Sequence, residues 1–466
     1  MVPGRPADVS SEGNVFELCP FEQIRDTYMV IQYALLYRNT NLLQERGTHP
    51  FSSIQAAFER LLDLYPILRG HRVKLPDRTI IATSDNTKHG PRFEIIDASQ
   101  MTVDEFEKVR FYREQWPTEV DKALKSRTAD VDRLIAGTVV SFADGYLVGL
   151  SVSHIVADGV GAYLILRQWA SLAQKLAAND DMSAIPDFPI DFDHPAFWAK
   201  LEAHPHTPHP FVEYASRLDL GDLTALQAKI ATWHKTGSFN GADTLATRVL
   251  CVSPAAIDAI ANEYNIPSDS RPAVHGAQIL YALMWQRYVA TVVEMQRESE
   301  TAYTLPVFLM IVGSLRQMTP APDYIGNAFG TVLVPCDTRD VLTLPVIDLA
   351  RLVKEHLRQL TPGGSAHYIN EACKGDGIFL TKNVYLCNRA ESQVSISNVS
   401  RLEFFDTSFG HGKPIAFHFG SNLAEGTMAW MPNADGGIDI HYGLKDGFYN
   451  VLKCDSVLNK FIEFID

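Results

Sequence analysis

The chain has 466 residues, 46% of them apolar and 21% charged, with a formal net charge of −14. The length points to two domains or one large duplicated unit, and the composition is that of a folded globular protein, which excludes a disordered or low-complexity chain. The acidic balance argues against nucleic acid and against an anionic membrane surface as partners, while a small anionic ligand remains open to local basic groups.

In chain order, Met1 to Asp8 has no apolar stretch of the secretory kind, so a cytoplasmic location is expected. Phe51 to Leu68 reads as an amphipathic helix, with Ile54, Phe58, Leu61, Leu62 and Tyr65 at helical spacing and Pro66 ending it. Thr79 to Ala82 and Arg92 to Ile96 read as short strands, and Ser99 to Lys108 as partly helical. Leu134 to Phe142 and Tyr146 to Val152 are strand-like runs on either side of Ala143-Asp144-Gly145, a strong hairpin signal. The most apolar stretch, Tyr146 to Ala157, is about half of what a bilayer span needs and is interrupted by Gly149, Ser151, Ser153 and His154, so no membrane segment is expected. Ala162 to Ala177 is helical.

Ala184 to Pro210 is rich in proline, histidine and aspartate and reads as a crossover linker. Its His204, His206 and His209 lack a partner cysteine or carboxylate pattern, so they read as solvated linker and no metal site is expected. Leu223 to Lys235, Pro254 to Tyr264 and Val274 to Val289 read as helices. Thr244 to Val252, Thr304 to Val312, Asn383 to Ser397, Ile415 to Asn422, Thr427 to Met431 and Gly437 to Tyr442 read as strands, and the last ~20 residues as helical. Such an order suggests two α/β layered halves with mixed sheets. The expected division is residues 1–200 as an N-terminal half, 201–235 as linker and helix, and 236–466 as a C-terminal half. The six cysteines, Cys19, Cys251, Cys336, Cys373, Cys387 and Cys454, form no CxxC pair and read as thiols in a reducing compartment.

The segment that carries chemistry is Ser153-His154-Ile155-Val156-Ala157-Asp158-Gly159-Val160-Gly161. A strand runs straight into His154, and a helix follows. A base that acts on a substrate needs such a short, stiff support, and an imidazole titrates at ~6.5, close to working pH. Asp158 could orient the ring, brace the loop through a cation elsewhere, or merely cap the next helix.

The whole chain resembles the BAHD acyltransferases, and within them fungal secondary-metabolite members of the trichothecene acetyltransferase type. Phe51 through Gly70 is similar to the family's helix ending in YPLAGR, and His154 to Gly159 matches its HxxxDG motif. His275 through Trp285 resembles its apolar ALLW helix, and Arg316 with Tyr324-Ile325-Gly326-Asn327-Ala328 resembles its RxR…YFGNA segment. Asp406 to Pro414 lies where the family has its DFGWG loop, but with Ser408 and His411 replacing the acid and the tryptophan. The first arginine of the RxR pair is Ser314.

The resemblance implies two chloramphenicol-acetyltransferase-like halves, each a mixed β-sheet with flanking helices, and a tunnel between them. It implies His154 as general base in transfer of an acyl group from acyl-CoA to a hydroxyl or amine of a small metabolite. It implies an Asp158–Arg316 pair, with Gly159, that braces the loop. Acyl-CoA is then a co-substrate, no cofactor is permanently bound, and a monomer suffices. Gly326 and Asn327 serve a turn and a backbone contact. Lys413 is a candidate for a coenzyme phosphate, and Ser397 and Asn398 are oxyanion candidates by polarity and position only. Two alternatives keep the fold: a repurposed protein that binds, isomerises or cyclises a metabolite, and a condensation enzyme fed by a carrier protein. The second usually has another histidine where this chain has Ser153. A serine hydrolase is disfavoured, because Gly363-Gly364-Ser365-Ala366-His367 is not a G-x-S-x-G elbow.

Overall fold

A computed structural model of the chain describes residues 14–20, 22, 30–38, 51–75, 79–83, 89–108, 116, 120, 132–178, 190–217, 245–264, 276–295, 306–373, 393–420 and 423–465. Strands β1 (Val15–Glu17) and β2 (Val30–Arg38) come first. Helix α1 (Ser52–Leu64) buries Ile54, Ala57, Phe58, Leu61 and Leu62. It stops before Pro66, which has no N–H for another α-turn, and a tighter 3-10 turn over Pro66–Arg69 follows. After β3 (His71–Lys74), β4 (Thr79–Ala82), β5 (Arg92–Asp97) and α2 (Val103–Lys108), the hairpin of β6 (Ile135–Ser141) and β7 (Gly145–Ser153) forms as the Asp-Gly signal predicts. Ser141 faces Tyr146, and the Phe142 N–H donates to the Gly145 carbonyl at 2.9 Å. Helix α3 (Gly159–Ala177) follows.

The chain continues through α4 (His194–Glu202), α5 (Pro210–Arg217), β8 (Leu245–Val252), α6 (Pro254–Tyr264), α7 (Gly276–Met295), β9 (Pro306–Ser314) and β10 (Phe329–Asp337). Then come α8 (Thr338–Thr343), α9 (Val346–Leu357), α10 (Pro362–Ala372), β11 (Gln393–Asn398), β12 (Ala416–Phe419), β13 (Thr427–Pro432), β14 (Ile438–Lys445), α11 (Asp446–Lys453) and β15 (Glu463–Ile465).

Two expectations are corrected. The proline-rich segment is not plain linker, because it contains α4, and His209 is buried rather than solvated. The C-terminus is α-helical only to Lys453, makes one 3-10 turn over Leu458–Lys460, and finishes as a strand. The helix expected over Leu223 to Lys235 lies outside the described residues, as does Cys387. The other five cysteines carry no disulfide.

Internal contacts divide the mixed α/β chain into two compact units. The first comprises Met1–Lys200, Thr319–Ala328 and Leu402–Ser421. Its main sheet has the order β12-β2-β7-β6-β5, antiparallel except for β5 with β6, and β1-β4-β3 form a small second sheet. Helices α1 and α3 pack together: Trp169 stacks edge-on to Phe58 at 5.2 Å and donates from Nε1 to the Ile54 carbonyl at 2.9 Å. The second unit comprises Leu201–Met318, Phe329–Arg401 and Asn422–Asp466. Its seven-stranded mixed sheet runs β10-β9-β11-β13-β14-β8-β15, and Trp285, Tyr288, Trp430 and Tyr442 lie in its core. Among the described residues, no helix is long and apolar enough to cross a membrane.

Candidate active site

His154 sits one residue beyond β7, a strand buried along its whole length. The turn that carries it is anchored by Ile155, Val156 and Ala157, each fully buried, and by the Val156 N–H on the Ser153 carbonyl at 3.1 Å. The imidazole itself is half-buried, with Nδ1 enclosed. Asp158 is the N-cap of α3: its Oδ1 accepts from the Gly161 N–H at 2.8 Å. Its Oδ2 accepts from the Ala328 N–H at 3.0 Å. Both oxygens are therefore engaged by main chain. Gly161 is required here because a Cβ would lie 1.8 Å from the Ile325 carbonyl oxygen. The Tyr33 hydroxyl donates to the Gly159 carbonyl at 2.8 Å. Burial first, then the Asp158 carboxylate, pushes the Tyr33 phenol up, so it remains a donor.

Segment 324–328 runs alongside this loop. The Asn327 side chain donates from Nδ2 to the His154 carbonyl at 2.9 Å. Its main-chain N–H donates to Glu22 Oε1 at 3.2 Å, and the Tyr324 hydroxyl donates to the same oxygen at 3.2 Å. Cys19 Sγ donates to Glu22 Oε2, and His194 Nδ1 lies 3.5 Å from Oε1 and 2.6 Å from the Tyr324 hydroxyl. Gly326 makes room for this cluster: a Cβ there would lie 2.0 Å from the Tyr324 hydroxyl and 2.7 Å from His194 Nδ1. Tyr324 also stacks flat on Phe197 of α4 at 4.0 Å. Burial alone would raise the Glu22 carboxyl, but the charge of His194 and the hydrogen bonds from His194 and Cys19 outweigh it and hold the acid below its ordinary value.

The sequence-derived candidates are divided between the two units. His154, Asp158 and Gly159 share the loop. Arg316 is buried in the second unit, just beyond β9, with its N–H on Ser314 Oγ at 3.3 Å. Ser397 and Asn398 end β11 in the second unit. The Asn398 amide donates to the Tyr281 hydroxyl at 2.7 Å and accepts from Ser400 N–H and Oγ at 3.0 and 2.7 Å. Lys413 is exposed and pairs with Asp406 at 2.6 Å.

The Ser408–Gly412 loop packs at the far end of the first unit's sheet. Phe409 stands edge-on to Trp169 at 5.0 Å, and His411 edge-on to Tyr146 at 6.0 Å. Tyr146 is the second residue of β7 and His154 follows its end, so the two are about 26 Å apart at the rise of an extended strand. Sequence reasoning missed Glu22, His194 and Tyr33 as partners of the loop. Only Asn327, singled out within the Tyr324 to Ala328 segment, carried a signal. Among the described residues, no group of three or more His, Cys, Asp or Glu is placed to hold a metal ion.

Residues 8–453 match the family model described as the Transferase family. The chain is 22% identical over 329 residues to coumaroyl-CoA:anthocyanidin 3-O-glucoside-6''-O-coumaroyltransferase 2 of Arabidopsis thaliana, covering 68% of this chain. It spans 64% of the length of the curated relatives it matches. TRI101 of F. sporotrichioides, solved in complex with coenzyme A and T-2, superposes with a TM-score of 0.74 at 16% identity, covering 97% of this chain and 100% of that one. Vinorine synthase gives a TM-score of 0.61 at 14% identity, covering 98% and 95%. At these identities the solved structures establish the shared fold.

Proposed function

Because the chain belongs to the Transferase family of BAHD-type acyltransferases, we propose that it moves an acyl group from acyl-CoA to a hydroxyl, or an amine, of a small metabolite, with His154 as general base. The observation that carries the reading is the support of His154. The residue leaves a fully buried strand, its carbonyl is held by Asn327, and the next helix is capped by Asp158. An imidazole fixed in this way, with Nδ1 enclosed, offers Nε2 to a substrate. A relative named for its use of coumaroyl-CoA, and a fold neighbour, TRI101 of F. graminearum, solved with coenzyme A and T-2 mycotoxin, support the donor class and a fungal-type metabolite as acceptor.

In the proposed reaction, His154 takes the acceptor's proton as its oxygen attacks the thioester carbonyl. The tetrahedral intermediate collapses, the carbon–sulfur bond breaks, and the imidazolium returns the proton to the departing thiolate. No acyl-enzyme is needed, since binding both reactants together already makes the attack local. General-base help supplies about 10²–10⁴-fold, and the remainder comes from positioning and stabilisation of the oxyanion.

The test is thiol release from a panel of acyl-CoA donors and hydroxylated or amino acceptors, comparing wild type with His154→Ala. Acceptor-dependent release that falls at least about 100-fold in the variant supports the base role. A wild-type protein that neither binds acyl-CoA nor releases thiol would favour a repurposed binding protein instead.

A further inference from the structure

Glu22 is a fully buried carboxylate, and the general-base mechanism does not call on it. A buried charge is costly unless its hydrogen-bonding capacity is used, and here it is. Oε1 receives the Asn327 N–H and the Tyr324 hydroxyl, and Oε2 receives the Cys19 thiol. Asn327 is the pivot. Its main chain is tied to Glu22, while its side chain is tied to the His154 carbonyl. The next residue, Ala328, gives its N–H to Asp158. Two consecutive peptide groups therefore connect the carboxylate to both ends of the His154–Asp158 turn.

We propose that Glu22 and Asn327 are positioning residues for His154: the buried carboxylate fixes the Asn327 main chain, and Asn327 in turn fixes the direction in which the imidazole leaves β7. Neither residue exchanges a proton with substrate. The idea rests on the acyl-transfer reading for its kinetic consequence, but its geometric core does not.

The geometry explains why this is a chain of action and not general packing. Asn327 hydrogen-bonds the His154 turn through its Nδ2 and Glu22 through its main-chain N–H, so either bond can be altered alone. Gly326 keeps the intervening chain close enough for Tyr324 and His194 to complete the cluster, and its replacement by any residue with a Cβ would push them apart. His194 and Cys19 hold the Glu22 carboxyl below its ordinary value, so at neutral pH it stays an acceptor for both N–H and O–H donors.

The experiment uses the full chain with histidine labelled at ring Cε1, and assigns the His154 ring signal by its loss in His154→Ala. Three variants follow: Asn327→Leu, which keeps the volume and removes the side-chain donor; Glu22→Gln, which keeps the volume and removes the charge; and the double variant. The expected result is a shifted His154 ring signal in each. It is accompanied by a fall in kcat of about 3–10-fold, the worth of one hydrogen bond, with KM for acyl-CoA unchanged. The double variant falls no further than Asn327→Leu, because Glu22 acts through Asn327. An unmoved His154 signal in Asn327→Leu, or additive losses in the double variant, overturns the proposal. Should Glu22→Gln fail to fold, Tyr324→Phe removes one donor from the same carboxylate and must move the same signal. If wild type neither binds acyl-CoA nor releases thiol while the ring signal still moves, the acyl-transfer reading fails and the positioning network stands.

Discussion

Gly161→Ala gives the sharpest test of how the His154–Asp158 turn is packed. The new methyl would lie 1.8 Å from the Ile325 carbonyl oxygen and 2.8 Å from its carbon. Both are main-chain atoms, so no side-chain rotation relieves the clash. Real Cβ atoms essentially never come within 3.0 Å of such a neighbour, so α3 and segment 324–328 must part by about 1.2 Å. Overpacking of this kind costs about 1–3 kcal/mol. The same movement stretches the bond from the Ala328 N–H to Asp158 beyond hydrogen-bonding distance, and loss of a bond to a charged group costs about 1.5–3 kcal/mol. Alanine's better helix propensity returns at most about 1 kcal/mol. The net expectation is a destabilisation of about 2–4 kcal/mol, read as a urea midpoint about 1 M lower. Unfolding should be followed by tryptophan fluorescence and by circular dichroism together, since two units need not unfold as one. Gly276→Ala at the start of α7 is the control: its nearest foreign atom would be Ile257 Cγ2 at 3.7 Å, an ordinary contact, so its midpoint should be no lower than wild type and can rise with alanine's better helix propensity. A wild-type midpoint in Gly161→Ala would refute the close approach of α3 to Ile325.

Three further outcomes are expected. Asp158→Asn keeps an acceptor for Gly161 but turns an amide donor toward the Ala328 N–H, at a cost of about 1–3 kcal/mol; a urea midpoint equal to wild type would remove that bond from the account. Burial lowers His209 and His441 from the ordinary 6.5 to about 4, so between these values the unfolded chain binds protons that the folded chain refuses. Stability is then full above pH 6.5 and declines as pH falls toward 4, by up to about 3 kcal/mol per group, and the double variant His209→Gln/His441→Gln should flatten that slope in pH-dependent urea titrations. Lys413→Ala removes an exposed pair with Asp406 and should leave both stability and KM for acyl-CoA unchanged; a several-fold rise in KM would assign Lys413 to the coenzyme.

What the sequence discloses, and what it conceals, follows from the range of the interactions. The β6–β7 hairpin is legible because Asp144-Gly145 is a local turn signal between two apolar runs, and a Cβ at Gly145 would lie 2.2 Å from the Tyr37 carbonyl. Helix α3 is legible from periodicity, and α7 from the length of its apolar run. Strand β2 is not, because Ile31 to Tyr37 are buried throughout and show no alternation. Strand β10 is obscured by Pro335, which argues against a strand; it lies at the edge of its sheet, where a missing N–H is tolerated. The short β15 is overshadowed by the helix before it. For the site, HxxxDG locates His154 and Asp158, while Glu22 and His194 reach the turn only through the fold, and no local pattern marks them.

The fate of Asp158 bears on how such motifs should be read. From sequence, a helix cap and an orienting or bracing residue look like competing explanations. In the structure Asp158 does cap α3, with one oxygen on the Gly161 N–H, and the same carboxylate holds Ala328 with the other. Capping fixes where the helix starts, and the second bond fixes how close segment 324–328 runs to it. That distance determines whether Asn327 reaches the His154 carbonyl. A structural role for Asp158 is therefore the means by which the four-residue spacing serves the histidine: the acid need not touch the imidazole to set its position. It follows that a variant such as Asp158→Asn should lose activity through displacement of the turn, with the His154 ring signal shifting in step with the loss, rather than through a change in proton affinity supplied by a direct carboxylate contact.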